Sequence, residues 1–326
     1  MVSKKFGEIY SRIKNYGIVP VIKIEEADKA VPLAEALALG GLNIAEITFR
    51  TECAAEAIQK ISDAFPDMLL AAGTVLTVEQ VKSAVDSGAK MIVSPGFNEN
   101  VVSYCIKNNI VIIPGCSRAG DIEKALSVGI DVVKFFPAEA SGGLDMLKAL
   151  SAPYSQVRFI PTGGITEDNL VDYLMNKSVM ACGGSFMVKE DYIRSGEFEK
   201  IRDLTTHTVQ KMLGFDLAHV VINCENTEQA ERDSSKIESL FGLKKTDAGT
   251  SISNADILHF MKSKSYGKNG QIAMCSNFID RAVFYLKEAR KEFIEESARF
   301  DDEGKLTSIF LDNIIGGFAI KLVRKS

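Results

Sequence analysis

From residue 18 to residue 190 the chain repeats one pattern: a short apolar run ending in Pro, Gly, Thr or Ser, then a charged stretch with apolar residues every three or four positions. The runs are IVPVIKI (18–24), IAEITF (44–49), LLAAGTV (69–75), MIVSPG (91–96), VIIPGC (111–116), VVKFFP (132–137), RFIPTGG (158–164) and VMACGGS (179–185). Runs of this length predict strands buried on both faces. The segments between them, such as EEADKAVPLAEALALG and TVEQVKSAVDSG, have helical period and often close on glycine, a helix C-terminal signal. Strands joined by helices must be parallel, and eight such units predict an α/β fold of the (β/α)8 TIM-barrel type. An open doubly wound sheet is the competing arrangement, but its G-x-G-x-x-G turn after the first strand is missing. Prolines 20, 95, 114, 137 and 161 fall mostly near the C-terminal ends of the runs, where ladder pairing is already ending.

A helix ending at KMLGF closes this part, and the rhythm then changes. FDLAHVVINC predicts a strand, NTEQAERDSSKIESLFG a helix, ADILHFMKS and GQIAMCSN strands, IDRAVFYLKEARKEF a helix, and LTSIFLDNIIGGFAIKLVRK two or three strands. The expected organisation is a barrel over residues 1–213 followed by a smaller α+β domain of βαβββ type over 214–326.

Composition narrows the function. A formal net charge of −5 and the lack of a Lys/Arg run leave no field for a polyanion, so nucleic acid is not an expected partner. The first 17 residues alternate charged and apolar positions without the continuous apolar stretch of a signal peptide or membrane span. The expectation is a cytoplasmic protein with no membrane partner. The six cysteines (Cys53, Cys105, Cys116, Cys182, Cys224 and Cys275) lack CxxC spacing and read as reduced, buried small hydrophobes.

In a barrel the catalytic groups come from the C-terminal ends of several strands. Strand alternation puts Glu46, Thr48 and Arg50 on one face of IAEITFR, turned toward the barrel mouth, and lets Lys134 of DVVKFFPAE point inward as well. Such a lysine could simply pair with Glu46 or lay its stem over a helix. Interrupting a buried strand, it points instead to an amine: desolvation or a nearby cation such as Arg50 disfavours the ammonium and frees it to attack a carbonyl as a Schiff base. Arg50 suits a substrate carboxylate, and Glu46 is then available as general acid and base. PTGGI (161–165) and CGGS (182–185), at the ends of the last two strands, occupy the usual barrel address of a phosphate site.

Together EITFRTECA, AAGTVL, SPGF, VKFFPAE, PTGGI and GGS resemble the class I aldolase family that cleaves 2-keto-3-deoxy-6-phosphogluconate (KDPG) and 4-hydroxy-2-oxoglutarate (KHG), over residues 8 to 210. The resemblance implies that Lys134 forms the Schiff base with the C2 keto group of the substrate, and that Glu46 is the general acid/base, acting through a water. Arg50 and Thr74 would bind the pyruvate carboxylate, with Pro95 and Phe136 packed about the site. Gly163, Gly164, Gly184 and Ser185 would hold the phosphate, and Thr162 would sit beside the substrate hydroxyl. Lys23, at the end of the first strand, would touch the distal anion or stand solvated at the surface. Where some relatives carry an arginine before that strand, this chain has Tyr16 and Gly17, which bears on how strongly a phosphate is held. The products would be pyruvate with glyceraldehyde 3-phosphate or with glyoxylate, without metal or cofactor, in a homo-oligomer that is commonly a trimer.

Residues 214–326 are similar in element order to the glyoxalase-like fold of paired βαβββ modules. His219 falls where metal-binding members carry a ligand, but with His259 it makes two ligands at most, and Lys321 stands where a carboxylate would be needed. No metal is expected there; a small effector, a role in the oligomer and a cover for the barrel remain open. Two other classes compete for the whole chain: a phosphosugar isomerase or epimerase, which has no need of Lys134, and a sensor working through the C-terminal domain.

Overall fold

Each apolar run of the first part becomes a strand shorter than the run. The eight are β1 (Ile18–Ile22), β2 (Ile44–Thr48), β3 (Leu69–Gly73), β4 (Met91–Val93), β5 (Val111–Ile113), β6 (Val132–Phe135), β7 (Arg158–Pro161) and β8 (Cys182–Gly184) in a computed structural model that describes residues 4–325. Proline chemistry shortens several of them. Pro95, Pro114 and Pro137 lie beyond β4, β5 and β6, and Pro161 is the last residue of β7, so pairing stops where an N–H is missing. Pro20 is different: it sits inside β1, opposite Gly184 of β8.

The helices between and around these strands are α1 (Lys4–Tyr16), α2 (Ala30–Leu39), α3 (Ala54–Ala64), α4 (Val78–Asp86), α5 (Glu99–Lys107), α6 (Ala119–Ser127), α7 (Gly143–Ser151), α8 (Leu170–Met175), α9 (Glu190–Ser195) and α10 (Phe198–Leu213). Their starts obey local chemistry: Thr77 and Gln80 form a capping box on α4, and Asn98 caps α5. The parallel strands run β5-β4-β3-β2-β1-β8 in one sheet and β6-β7 in another. Isolated parallel bridges close the circle, Gly115 to Lys134 on one side and Phe159 to Val179 and Thr162 to Gly183 on the other. Lys134 is fastened across the first seam by its own backbone. Its N–H donates to Pro114 O at 2.9 Å and its carbonyl accepts from Cys116 N at 2.8 Å. The (β/α)8 arrangement follows, as the repeating pattern predicts.

The chain divides into two compact units, Met1–Lys211 and Met212–Ser326. The second unit contains β9 (Asp216–Asn223), α11 (Thr227–Phe241), β10 (Lys245–Asp247), β11 (Ser251–Asn254), β12 (Leu258–Met261), β13 (Gly270–Ser276), α12 (Ile279–Glu288), β14 (Phe293–Phe300), β15 (Leu306–Ile315) and β16 (Phe318–Arg324). These form one sheet, β10-β11-β12-β9-β13-β16-β15-β14. The order is two βαβββ halves facing one another: β9 and β13 run antiparallel at the centre, each with the last strand of its own half parallel beside it. α11 covers one face, where Cys224, Ala230, Ile252 and Phe260 form a buried cluster with Ile222, Ile237 and Leu258.

The second unit departs from the sequence expectation in two places. The helix expected over 279–293 stops at Glu288, and Phe293 begins β14, a strand that the apolar pattern does not predict. The short strands β10 and β11 lie in a stretch with few apolar residues. β11 is nevertheless buried throughout, because its polar groups are internally satisfied. The Asn254 amide donates to Leu243 O at 2.8 Å and Ser234 O at 3.3 Å and accepts from Ser234 Oγ at 2.7 Å, tying α11 to the sheet. Asn254→Ala should therefore leave buried groups unpaired and cost about 2–3 kcal/mol, measured as a lower urea midpoint for the transition of this unit.

Candidate active site

Glu46 on β2 and Lys134 on β6 meet although 88 residues separate them: Lys134 Nζ donates to Glu46 Oε1 at 3.0 Å. Their side chains are 5% and 7% exposed, so this is an ion pair inside the protein. Phe136 covers it, its ring centroid 5.3 Å from Nζ. Glycines make the geometry possible. A Cβ on Gly73, at the end of β3, would stand 2.1 Å from Glu46 Oε1, so the carboxylate can lie there only over a residue with no side chain. At Gly115, the bridge partner of Lys134, a Cβ would stand 2.0 Å from Pro95 O, which places Pro95 directly beside the lysine's seam.

Strand alternation carries Glu46 and Thr48 but stops short of Arg50, since β2 ends at Thr48. Arg50 stands in the following turn, exposed, and a relay of hydroxyl bonds tethers it. Its Nε donates to Thr48 Oγ1 at 3.2 Å, and the Thr48 hydroxyl donates to Ile22 O of β1 at 2.8 Å. Arg50 lines a cleft of about 450 Å³ together with Val21, Lys23, Ser185, Phe186 and Glu190. Lys23 stands partly exposed in this cleft and is paired with two carboxylates. Its Nζ lies 2.9 Å from Glu25 Oε1 and 3.1 Å from Glu190 Oε2. The hydrogen bond that Lys23 donates to Glu25, and then that to Glu190, pushes the Lys23 pKa up, while Lys23 holds the Glu25 carboxyl down. Glu190 escaped the sequence reading because 167 residues separate it from its partner and no local pattern links them.

The remaining predicted residues fall on neighbouring strand ends. Thr74, just past β3, has φ 55°, an unusual conformation for a β-branched residue and a mark of local strain. Thr162 is buried, and its Oγ1 occupies the space over Gly183, where a Cβ would stand 2.3 Å away. The Thr162 to Gly183 bridge brings the PTGGI and CGGS turns side by side, with Gly184 ending β8 and Ser185 following it. Gly163 and Gly164 take φ 95° and 82°, which glycine alone adopts readily. Gly163 packs against the Phe136 ring, and a Cβ on Gly164 would run into Glu139 Cγ at 2.4 Å. Lys134, Glu46, Phe136 and Pro95 thus form one cluster, and Lys23, Arg50 and Ser185 one cleft. Among the described residues, no group of three or more His, Cys, Asp or Glu side chains is placed to hold a metal ion.

Residues 9–204 match the family model "Aldolase: KDPG and KHG aldolase". A 2-dehydro-3-deoxy-phosphogluconate aldolase of Treponema pallidum is 49% identical over 202 residues, 62% of this chain and 96% of that protein. The KHG/KDPG aldolase of Escherichia coli K12 is 41% identical over 193 residues, 59% of this chain and 91% of that protein. Among solved structures, the KDPG aldolase of Legionella pneumophila, with pyruvate captured at low pH as a covalent carbinolamine, is similar with a TM-score of 0.60 and 38% identity, covering 61% of this chain and 97% of that one.

The buried pair yields a stability prediction. Glu46→Leu strands the lysine and should cost roughly 3–5 kcal/mol, whereas the double variant Glu46→Leu/Lys134→Met should recover most of that loss. Denaturant unfolding of the three proteins checks the order.

Proposed function

The chain belongs to the KDPG and KHG aldolase family, and on that premise we propose that the cluster at the ends of β2 and β6 is its Schiff-base centre. The protein is a carbon–carbon lyase that cleaves 2-keto-3-deoxy-6-phosphogluconate to pyruvate and glyceraldehyde 3-phosphate, and/or 4-hydroxy-2-oxoglutarate to pyruvate and glyoxylate. The observation that carries the site assignment is the 3.0 Å contact between Lys134 and Glu46 inside the barrel.

Proton transfer across that contact converts ammonium and carboxylate into amine and carboxylic acid. The amine attacks the substrate C2 carbonyl to form a carbinolamine. Glu46 returns its proton to the departing hydroxyl, water leaves, and a protonated imine remains. Glu46, again a carboxylate, takes the C4 hydroxyl proton through a water. The C3–C4 bond breaks, its electron pair moves into the imine as an enamine, and the aldehyde departs. Protonation of the enamine at C3 and hydrolysis of the imine release pyruvate and restore the lysine.

Arg50 and Thr74 hold the pyruvate carboxylate, with the Thr48 hydroxyl keeping the guanidinium in place, and Pro95 and Phe136 shape the apolar wall. Gly163, Gly164, Gly184 and Ser185 receive the phosphate on backbone N–H groups, and Thr162 sits beside the substrate hydroxyl. Lys23 adds charge at the distal end, moderated by Glu25 and Glu190. We place the protein in the cytoplasm as a homo-oligomer, a trimer by family resemblance; six cysteines outside any disulfide suit a reducing compartment.

Borohydride added with pyruvate should fix a stable adduct on the Lys134 peptide, seen by mass spectrometry, and Lys134→Ala should give none; a wild type that fails to trap would overturn the assignment. Glu46→Gln, nearly isosteric, should lower kcat by about 10²–10⁴-fold with the fold intact by circular dichroism. Glu190→Gln relieves the neutralisation of Lys23, so kcat/KM for the phosphorylated substrate should rise relative to that for the unphosphorylated one, an effect that weakens as salt is added.

A further inference from the structure

Past the ends of β6 and β7 the backbones of the two following loops stay joined. Thr162 N–H donates to Phe135 O at 2.9 Å, Ala138 N–H to Thr162 O at 2.8 Å and Glu139 N–H to Gly163 O at 3.1 Å. The carbonyl of Gly164 accepts from Asn169 Nδ2 at 3.1 Å, and Asn169 Oδ1 accepts in turn from Thr166 N–H at 2.9 Å. Three successive carbonyls of the PTGGI turn are therefore held by donors of the protein. These bonds set the path of the turn, but Gly163 and Gly164 have no side chains to pack, and glycine has more conformational freedom to lose than any other residue.

The side chain of Glu139 supplies the missing packing. A Cβ on Gly164 would stand 2.6 Å from Glu139 Cβ and 2.4 Å from its Cγ, so the stem of the glutamate lies across the bare backbone of the turn. Its carboxylate ends over the start of α7, where a Cβ on Gly143 would stand 3.4 Å from both Glu139 Oε1 and Tyr173 Oη. There it accepts a hydrogen bond from the Tyr173 hydroxyl. The two partners are unequal. Glu139 is exposed, a setting in which a long side chain keeps its rotamer freedom, whereas Tyr173, on α8, is 1% exposed and fixed in the core. Burial, then the bond to Glu139, pushes the Tyr173 pKa up, so its O–H remains a donor through the neutral range. The tyrosine is thus the anchor and the glutamate the strap. The same bond holds a negative charge over α7, where otherwise it could swing toward an anion seated on the two glycines and repel it.

We propose that Glu139 and Tyr173 are positioning residues for the distal, anionic end of the substrate: the Tyr173 hydroxyl anchors the Glu139 stem across Gly164 and so sets the turn that receives the phosphate. The inference rests on the phosphate role given to that turn above. Neither side chain takes part in bond making, so the Schiff-base step at Lys134 is left as it was.

The test compares the full chain with Tyr173→Phe, Glu139→Gln, Glu139→Ala and the double variant Tyr173→Phe/Glu139→Ala. Two quantities are read: kcat and KM for 2-keto-3-deoxy-6-phosphogluconate, and the pyruvate concentration that gives half-maximal borohydride trapping, which involves no phosphate. Tyr173→Phe should raise KM about tenfold, the loss of one hydrogen bond to a charged group, with kcat and half-trapping by pyruvate unchanged. Glu139→Ala should raise KM similarly, and the double variant should be no worse than either single change, because the two residues act as one unit. Glu139→Gln keeps an acceptor for the Tyr173 hydroxyl and should hold KM at or below the wild-type value. Tyr173→Phe removes only an oxygen, and the exposed Glu139 can turn to water, so the variant should fold, as circular dichroism checks. An unchanged KM in folded Tyr173→Phe, a half-trapping concentration that rises in step with KM, or a Glu139→Gln protein as impaired as Glu139→Ala would overturn this inference alone. A wild type that traps no pyruvate or leaves the phosphorylated substrate uncleaved would overturn the lyase reading and this inference with it.

Discussion

The barrel is organised around one costly object, the buried contact between Lys134 and Glu46. Removing both charges from water is expensive, and an apolar pair of similar volume would commonly be at least as stable. The surrounding structure is arranged to keep the pair nonetheless. Gly73 clears space for the carboxylate, the seam to Pro114 and Cys116 fixes the lysine backbone, and Phe136 covers the ammonium. The low polarity that makes the pair costly also strengthens its internal hydrogen bond. A lysine and a proton acceptor are thereby delivered together, at hydrogen-bond distance, as the proposed Schiff-base chemistry requires.

The same economy governs the strand ends. Prolines terminate the ladders early, and the glycines that follow free backbone N–H groups and admit neighbouring side chains, so the barrel mouth is built from residues that cannot extend the sheet. Arg50 illustrates the result. It belongs to no strand, and its direction comes from the Thr48 hydroxyl, which is itself anchored to β1. Lys23 is restrained in a different way, by carboxylates on both sides. The charge that Lys23 brings to the cleft is thus met by two carboxylates at contact distance.

How much of this was legible in the sequence follows from the range of each signal. The barrel was readable because apolar runs and helical period are local and repeat eight times. Glu46 and Lys134 were readable because strand parity, also local, turns both inward. The contact of Lys23 with Glu190 was not, since it depends on how β1 and α9 meet at the mouth. β10 and β11 were missed for a related reason. Their burial is stabilised by the Asn254 to Ser234 network, and a polar segment looks like loop until its partner appears. β14 was not predicted because FIEESARF lacks the alternation of apolar and polar residues that marks a half-buried strand.

The second unit poses the opposite problem from the barrel. Its α11 face is an ordinary apolar cluster, sufficient to hold a helix on a sheet. The other face buries Ser251, Ser253, Gln271 and Ser308 and gathers two histidines and a lysine. A sheet face serving stability alone would be expected to carry apolar residues there, because each buried polar group must find a partner or lose free energy. Several have partners within the sheet and the 262–269 loop. His219 and His259 meet each other and Lys321 lies over an aromatic ring, while burial disfavours the charged forms of His219 and Lys321. The polarity of that face is therefore held by internal partners, as Gln271 and Asn223 show with the 262–269 loop, whereas the Lys134 and Glu46 pair has only itself among the described residues.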